Sequence, residues 1–337
     1  MKEYPFISVI VPVYNEEKYL PGLLNNLLSQ DYPRDRMEWI FIDGNSNDKT
    51  KVILAEFSLS HPFVLILDNP KRYVSWALND AIAIAKGEVI IRMDAHSIYP
   101  ENYWSVLVSK LVEYNADNVG GMWVTQPGAD TDEARAIVLA TSHPLGIGNA
   151  GYRLGADRDI EVDTVPYGCF NKSVFDRIGK FDTDLVRNQD DEFNGRIRKS
   201  GGKIFMIPSV KIQYFARPTL AKLSSMFYQY GLYKPLVNIK LGSPATIRQF
   251  APPLLVFSMA ILLILSPFSA IACTLFIIEL LVYGIAVLVT SLWISRQNSL
   301  LTKLYTLLTF PLIHFSYGLG YIFGMMKFGM MSKHKKH

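Results

Sequence analysis

The sequence predicts an α/β domain built on a parallel sheet, followed by a basic segment and a helical membrane region. Short apolar runs alternate with helical patterns over residues 7–124, and three long runs almost free of charge lie within residues 250–326. The charges divide the chain in the same way. Up to Glu192 there are 29 acidic and 18 basic residues; from Phe193 onward Glu279 is the single acid, against 16 basic residues. That asymmetry excludes a uniform soluble globule. Half of the 337 residues are hydrophobic and the net charge is only +4, which excludes intrinsic disorder. Two cysteines, Cys169 and Cys273, are too few for a disulfide framework, and a reducing compartment fits. Residues 1–8 carry no charged head before a long apolar core, so no cleavable signal peptide is expected.

Strands are predicted at 7–13, 38–42, 63–67, 89–92 and 119–124, with helices between them at 18–29, 49–58, 75–85 and 101–114. The first four strands are continuous apolar runs, as in a sheet covered on both faces. Strands alternating with helices of this length argue for parallel pairing. Ligands of such sheets bind beyond the carboxyl ends of the strands, so chemistry is sought in the residues just after each one.

Residues 250–266 carry no charge, 269–294 carry only Glu279, and 304–326 contain no Asp, Glu, Lys or Arg. A hydrocarbon core of about 30 Å needs roughly 20 apolar residues, so these are candidate membrane spans. The first run is short and opens with Pro252-Pro253, which leaves a re-entrant or interfacial path open beside a full crossing. Three crossings would put the C-terminus opposite the N-terminal domain, whereas Lys333, Lys335 and Lys336 favour the cytoplasmic side. Residues 211–249 hold six basic residues and no acid, interleaved with Leu220, Leu223, Phe227, Tyr230 and Leu232. Beside membrane spans this reads as a surface-lying helix on anionic lipid rather than a nucleic-acid site. The expected division is 1–216, 217–249, 250–330 with two to three apolar helices, and a basic tail at 331–337. Glu279 is expected to pair or to function, since a buried membrane carboxyl is costly. Trp293 reads as an interfacial anchor, the other tryptophans as packing, and His143 and His314 as structural.

Polar clusters follow the strands. Asn15-Glu16-Glu17 follows the first, with Asn15 a candidate helix cap. Asp43-Gly44-Asn45-Ser46-Asn47-Asp48 follows the second, where Asp43 can accept hydrogen bonds from a base or ribose and Asp48 can cap the next helix. Arg92-Met93-Asp94-Ala95-His96 follows the fourth; a carboxylate and an imidazole one residue apart suit Mn²⁺, or Mg²⁺ that also binds phosphate oxygens. Asn188-Gln189-Asp190-Asp191-Glu192 precedes Arg196, with Glu192 and Arg196 spaced to pair on a helix. Either Asp190 or Asp191 can serve as a general base.

In this order the clusters resemble the family 2 glycosyltransferases with a GT-A (Rossmann-like) fold. Arg92–His96 with Tyr99-Pro100, and Arg248–Pro253 before the apolar tail, resemble the ExoA-like subgroup of succinoglycan biosynthesis. The resemblance implies an inverting, membrane-bound transferase that moves a sugar from a nucleotide-diphosphate sugar, a UDP-sugar first, to a lipid-linked saccharide in exopolysaccharide or related glycan assembly. It implies that Pro12, Tyr14, Glu16, Asp43, Ser46 and Asp94 hold the nucleotide. The acidic N-terminal half would repel a nucleotide sugar unless metal and local bases intervene, and Arg72, Arg92 and Lys71 are the local candidates, with a solvated loop the alternative for Lys71 and Arg72. The resemblance implies a divalent cation, Mn²⁺ or Mg²⁺, on Asp94 and His96, the latter replacing the family's second Asp. Asp190 matches the catalytic base, with Gln189 in place of the usual Glu and Asp191 as the alternative. Gly168, Cys169, Phe170, Glu192, Arg196 and, loosely, Gln229 match the acceptor side. Residues 126–163 read as a mobile acceptor loop or a surface insertion. The expected location is the inner membrane, multi-pass, with a cytoplasmic catalytic domain. A polyprenyl-phosphate sugar synthase, whose acceptor needs no base, and a non-catalytic membrane scaffold are the alternatives.

Overall fold

A computed structural model describes residues 4–334, with side-chain environments through Gly329; the tail at 331–337 lies outside the residues whose side chains are described. The elements run β1 (Ile7–Val13), α1 (Leu20–Leu28), β2 (Met37–Asp43), α2 (Thr50–Leu59), β3 (Val64–Asp68), α3 (Val74–Ile84), β4 (Val89–Arg92), β5 (Ser97–Ile98), α4 (Tyr103–Glu113) and β6 (Asn118–Gln126). They continue as α5 (Asp132–Thr141), α6 (Pro144–Ile147), α7 (Gly151–Leu154), β7 (Ile160–Glu161), β8 (Cys169–Asn171), α8 (Ser173–Ile178), α9 (Gln189–Lys199) and β9 (Ile204–Phe215). The last four are α10 (Leu220–Leu241), α11 (Ala251–Leu265), α12 (Ala270–Ile294) and α13 (Leu300–His334). The chain forms two compact units: residues up to Val124 with Gly151–Tyr214, and Thr125–Ala150 with the chain from Phe215 onward.

The first unit holds a mixed sheet in the order β3-β2-β1-β4-β8-β6-β9-β5, with β7 on β9. β1 pairs in parallel with β2 and β4, and β2 with β3, whereas β8 runs antiparallel to β4 and β6. The register sets Val13 beside Asp43 and Ile10 beside Arg92, so β1, β2 and β4 release their following loops at one edge. Alternate side chains build two cores. Ile7, Val9, Val11, Trp39 and Phe41 join Trp104 and Leu107 of α4 on one face. Ile10, Ile40, Ile42 and Ile90 join Leu78 of α3 and Phe193 of α9 on the other. This two-faced burial is what the uninterrupted apolar strands predict.

Residues 126–163 are not an unstructured loop: they contain α5, α6, α7 and β7. Thr131 caps α5 by accepting from Ala134 N, with Asp132 and Glu133 in the first turn where helix amides favour anions. In the second unit α5 packs on α13. The Asp132 carboxylate accepts from the Ser299 and Thr302 hydroxyls where α13 begins.

The basic stretch also differs from a free surface helix. Lys211 lies inside β9, and α10 packs lengthwise on α13, burying Leu223, Met226, Val237, Leu241 and even Lys234. Glycines permit this close approach: a Cβ on Gly231 would lie 2.1 Å from the Tyr317 carbonyl oxygen, and one on Gly324 would lie 2.2 Å from that of Leu232. Three segments, Arg248–Leu265, Ala270–Ile294 and Leu300–Gly329, are long and apolar enough to cross a membrane. Glu279 pairs as expected: its Oε1 accepts from Ser258 Oγ at 2.5 Å, joining α12 to α11. His314 is structural, its Nε2 donating to the Leu145 carbonyl at 2.7 Å while Nδ1 lies 2.9 Å from Tyr283 Oη. His143 Nδ1 accepts from Leu145 N.

Gly324→Val should therefore lower the apparent Tm in detergent, since overpacking costs about 1–3 kcal/mol, each kcal/mol worth roughly 2–4 °C at this size. Gly284→Ala, where an added Cβ meets nothing within 4 Å, should leave it unchanged or slightly raised.

Candidate active site

The loops after β1 and β2 are stitched to each other. Asn15 and Asn45 take left-handed backbone conformations, φ +55° and +63°, which asparagine tolerates better than most residues. Asn15 N donates to Ser46 Oγ at 2.9 Å, and Asn15 Oδ1 accepts from Asn47 N at 2.9 Å. Glu16 N donates to Thr50 Oγ1, and Glu17 accepts from Lys49 N at the start of α2. Asn15 thus ties two loops rather than capping α1, whose cap position is Tyr19. Asp48 lies one residue before the α2 cap position, Lys49, and accepts from Thr50 N, the first residue of the helix, at 2.9 Å. Ser46 fastens the loops through its hydroxyl.

Asp43 ends β2 fully buried. Its Oδ2 accepts from Ser46 N at 3.0 Å and lies 3.5 Å from Lys51 Nζ, while Oδ1 is buried with no partner. A buried acceptor left unpaired costs about 1–3 kcal/mol, so the strand end holds an acceptor waiting for a donor. Tyr14 is exposed, with the Arg72 guanidinium 5.6 Å from its ring and Arg72 itself at φ +64°. Pro12 is half-buried in β1.

At the end of β4, Asp94 is held by its backbone. Its N–H donates to Tyr99 Oη at 2.7 Å, and that hydroxyl donates to the Asp94 carbonyl at 3.3 Å. Tyr99 is buried, and its own N–H donates to Asn26 Oδ1. Asp94 Oδ1 accepts from His96 N at 3.1 Å. The His96 Nε2 lies 2.8 Å from Glu16 Oε1, with the Tyr19 ring edge-on at 4.6 Å. Glu16 Oε2 is buried without a partner. No group of three or more His, Cys, Asp or Glu side chains among the described residues is assembled to hold a metal. Asp94 and His96 still offer an oxygen and a nitrogen, a set suited to a cation that takes its remaining ligands from a diphosphate.

Asp190 lies in the first turn of α9, after Asn188 at φ +62°. Its Oδ1 is ion-paired with Arg92 Nη1, the arginine nearly buried and the Asp190 side chain 35% exposed. Burial pushes the Asp190 carboxyl above the usual carboxylate range; Arg92 pulls it down, and Asp191 and Asp94 add to the rise. The Arg92 N–H donates to the Gly168 carbonyl at 3.0 Å, and its guanidinium lies 6.0 Å from the Tyr167 ring. Tyr167 and Gly168 are both left-handed, at φ +62° and +79°.

The acceptor-side expectations need correction. Cys169 and Phe170 lie in β8 within the two cores; burial pushes the Cys169 thiol up, and Phe170 packs with Phe175, Phe181 and Phe193. Glu192 is buried and accepts from Arg196 through both oxygens, at 2.7 and 2.9 Å. Arg196 also donates to the Ile178 and Lys180 carbonyls, so this pair braces the turn after α8 rather than presenting groups to a ligand. Gln229 belongs to α10 of the second unit. Of the acceptor-side set within the first unit, Gly168 alone touches the Arg92–Asp190 arrangement, through its carbonyl. Sequence reasoning placed Tyr99 only in a motif; its grip on the Asp94 backbone has no sequence signal beyond the five-residue spacing.

The chain is similar to several known proteins. Residues 8–179 match the family described as Glycosyl transferase family 2. A dolichyl N-acetyl-alpha-D-glucosaminyl phosphate 3-beta-D-2,3-diacetamido-2,3-dideoxy-beta-D-glucuronosyltransferase of Methanococcus voltae is 32% identical over 241 residues, covering 69% of this chain and 74% of that protein. The succinoglycan biosynthesis protein ExoA of Rhizobium meliloti (strain 1021) is 28% identical over 246 residues, covering 72% and 73%. The fold is similar to that of mannosyltransferase PcManGT from Pyrobaculum calidifontis, solved with GDP-Man and Mn²⁺, with a TM-score of 0.63 at 19% identity over 95% of this chain and 88% of that one. With a GT-A-like sheet whose parallel strands β2 and β4 end in Asp43 and Arg92, and with the family match and the sequence relatives above, the chain is a glycosyltransferase and belongs to glycosyl transferase family 2.

Proposed function

We propose that the protein moves a sugar from a nucleotide-diphosphate sugar to a lipid-linked saccharide, inverting the anomeric carbon, at the cytoplasmic face of the inner membrane. The observation that carries this reading is a carboxylate, Asp190, held by an arginine at the same strand end that bears Asp94. The names of two relatives, one acting on a dolichyl-linked sugar phosphate and one from succinoglycan biosynthesis, support a lipid-linked acceptor. The three apolar segments support a membrane location.

On this reading Asp43 Oδ1 and Glu16 Oε2, both buried and unpartnered, accept hydrogen bonds from the nucleoside. Tyr14 and Arg72 flank it, and Pro12 shapes the floor. Ser46 acts through the loop it fastens. Asp94 and His96 are the residues that would hold a divalent cation, Mn²⁺ or Mg²⁺, and such a cation neutralises charge on a departing diphosphate. Asp190 takes the proton from the acceptor hydroxyl as that oxygen bonds to the anomeric carbon and the bond to the diphosphate breaks. One carboxylate suffices for a single displacement. Arg196 and Glu192 contribute by keeping α9 in place, and Asp191 is the reserve base.

A screen of UDP-, GDP- and dTDP-sugars with membrane lipid extract as acceptor tests the donor and acceptor classes directly, with UDP-sugars expected first. Asp190→Asn should lower kcat by about 10²- to 10⁴-fold, the range for loss of a general base, with nucleotide binding intact. Full activity in that variant would favour transfer to a polyprenyl phosphate, which needs no base. The pH dependence has a defined sign. A base must be ionised, so activity is lost as pH falls through the Asp190 pKa; because that pKa is raised, the acidic limb of kcat should lie above the value of about 3.9 typical of a free aspartate. Tyr99→Phe should leave the fold intact but deprive the Asp94 N–H of its partner. Such a loss costs about 1–3 kcal/mol, and it should appear as a lower kcat/KM for the donor and a weaker Mn²⁺ response.

A further inference from the structure

We infer that Arg92 is a positioning residue for the general base: it fixes the orientation of Asp190 and does not hold the donor. This rests on Asp190 being the base, as proposed above. The composition of the loops suggested instead that Arg92, with Arg72, offsets the charge of a nucleotide sugar. The geometry argues otherwise. Arg92 is only 7% exposed and spends its Nη1 on Asp190. Its own backbone is fixed from both sides, by the β1 register at Ile10 and by the Gly168 carbonyl. The Tyr167 ring lies 6.0 Å from the guanidinium. The sheet fixes the point from which this side chain starts, and burial, Tyr167 and Asp190 confine its head.

Stability does not explain the pair. A buried ion pair loses so much solvation that apolar residues of equal size often serve as well. Here the arginine also leaves its Nε–H buried without a partner, an added penalty. One turn further along α9, Asn194 already anchors the helix, accepting from Asn118 Nδ2 at 2.9 Å and donating to Thr164 Oγ1 at 2.8 Å. Residues four apart share a helix face, so Asp190 and Asn194 both point inward. Asn194 secures the helix; what Arg92 adds is the aim of one carboxylate.

The test is a double-mutant cycle on the full-length protein in detergent, using the nucleotide sugar that the wild type turns over, with membrane lipid extract as acceptor. Misplacing a reacting group by about 1 Å can cost on the order of 10²-fold. Arg92→Gln should therefore lower kcat by roughly 10- to 100-fold and leave the donor KM within about threefold. Arg92→Lys keeps the charge but lacks the rigid fork, and its kcat should fall between the two. In an Asp190→Asn background, Arg92→Gln should cost nothing more, because a residue acting through Asp190 has nothing left to position. Circular dichroism and the apparent Tm report folding; if Arg92→Gln fails that control, Arg92→Lys carries the same KM-against-kcat comparison. A loss confined to donor KM, or losses that multiply in the double variant, would overturn the inference and return Arg92 to the donor. An active Asp190→Asn protein would instead remove the base assignment itself. An inactive Asp190→Asn beside a fully active Arg92→Gln would remove only the role of Arg92.

Discussion

The parallel pairing of β1 with β2 and β4 is the constraint on which the site depends. Val13 pairs with Asp43 and Ile10 with Arg92, so the loops after β1 and β2 leave at one level and the loop after β4 leaves the same edge three residues earlier. Strands buried on both faces admit almost no polar side chains, and the polar residues of these segments therefore collect where the strands end. Asp43 and Arg92 are the last residues of their strands, and Glu16, Asp94 and His96 follow within a few positions. The site is thus a consequence of sheet burial before it is a consequence of any motif.

Crowding carboxylates at one edge creates an electrostatic problem, and each is managed differently. Glu16 meets the imidazole of His96, Asp190 meets Arg92, and Asp43 is fed by a backbone amide and by Lys51 at longer range. Glu192, two residues from Asp190, is neutralised by a bidentate arginine. Among these groups, Asp43 Oδ1, Glu16 Oε2 and Arg92 Nε remain buried and unpaired. Unpaired buried polar atoms are expensive, and the two carboxylate oxygens among them, on Asp43 and Glu16, are acceptors that a polar ligand could satisfy.

Much of this was legible in the chain itself. The strands at 7–13 and 89–92 agree residue for residue, because apolar runs bounded by turn residues have few other readings. The Glu192–Arg196 pair follows from helical spacing alone, yet the acceptor role implied for it by resemblance does not survive its geometry. Cys169 and Phe170 fail for a related reason: a motif transfers positions, but in a strand successive side chains enter opposite faces, and here both faces are core. The contact between Arg92 and Asp190 spans 98 residues and leaves no periodic trace. The helix at Asp132–Thr141 was hidden because Gly, Asp and Arg around it resemble a loop, while its apolar face, Ala134, Ile137 and Ala140, is narrow.

The second half of the chain obeys a different solvent. Beyond Glu192 acids all but disappear, and the one that remains, Glu279, is bonded to Ser258 of the neighbouring helix. Its second oxygen is buried and unpaired, a cost that rises in hydrocarbon where water cannot substitute. The helices around it associate through glycine rather than through charge. Gly231, Gly320 and Gly324 bring the α10 and α13 backbones close enough that any Cβ would strike a carbonyl oxygen. α13 is long and apolar enough to cross a membrane, and close backbone packing is what α10 offers it. This also accounts for Lys234, a basic residue that the sequence assigns to a lipid-facing collar and that the fold instead buries along α10. In this segment the packing of α10 on α13 outranks the pull of anionic headgroups, and the basic residues left for lipid are those off that packed face.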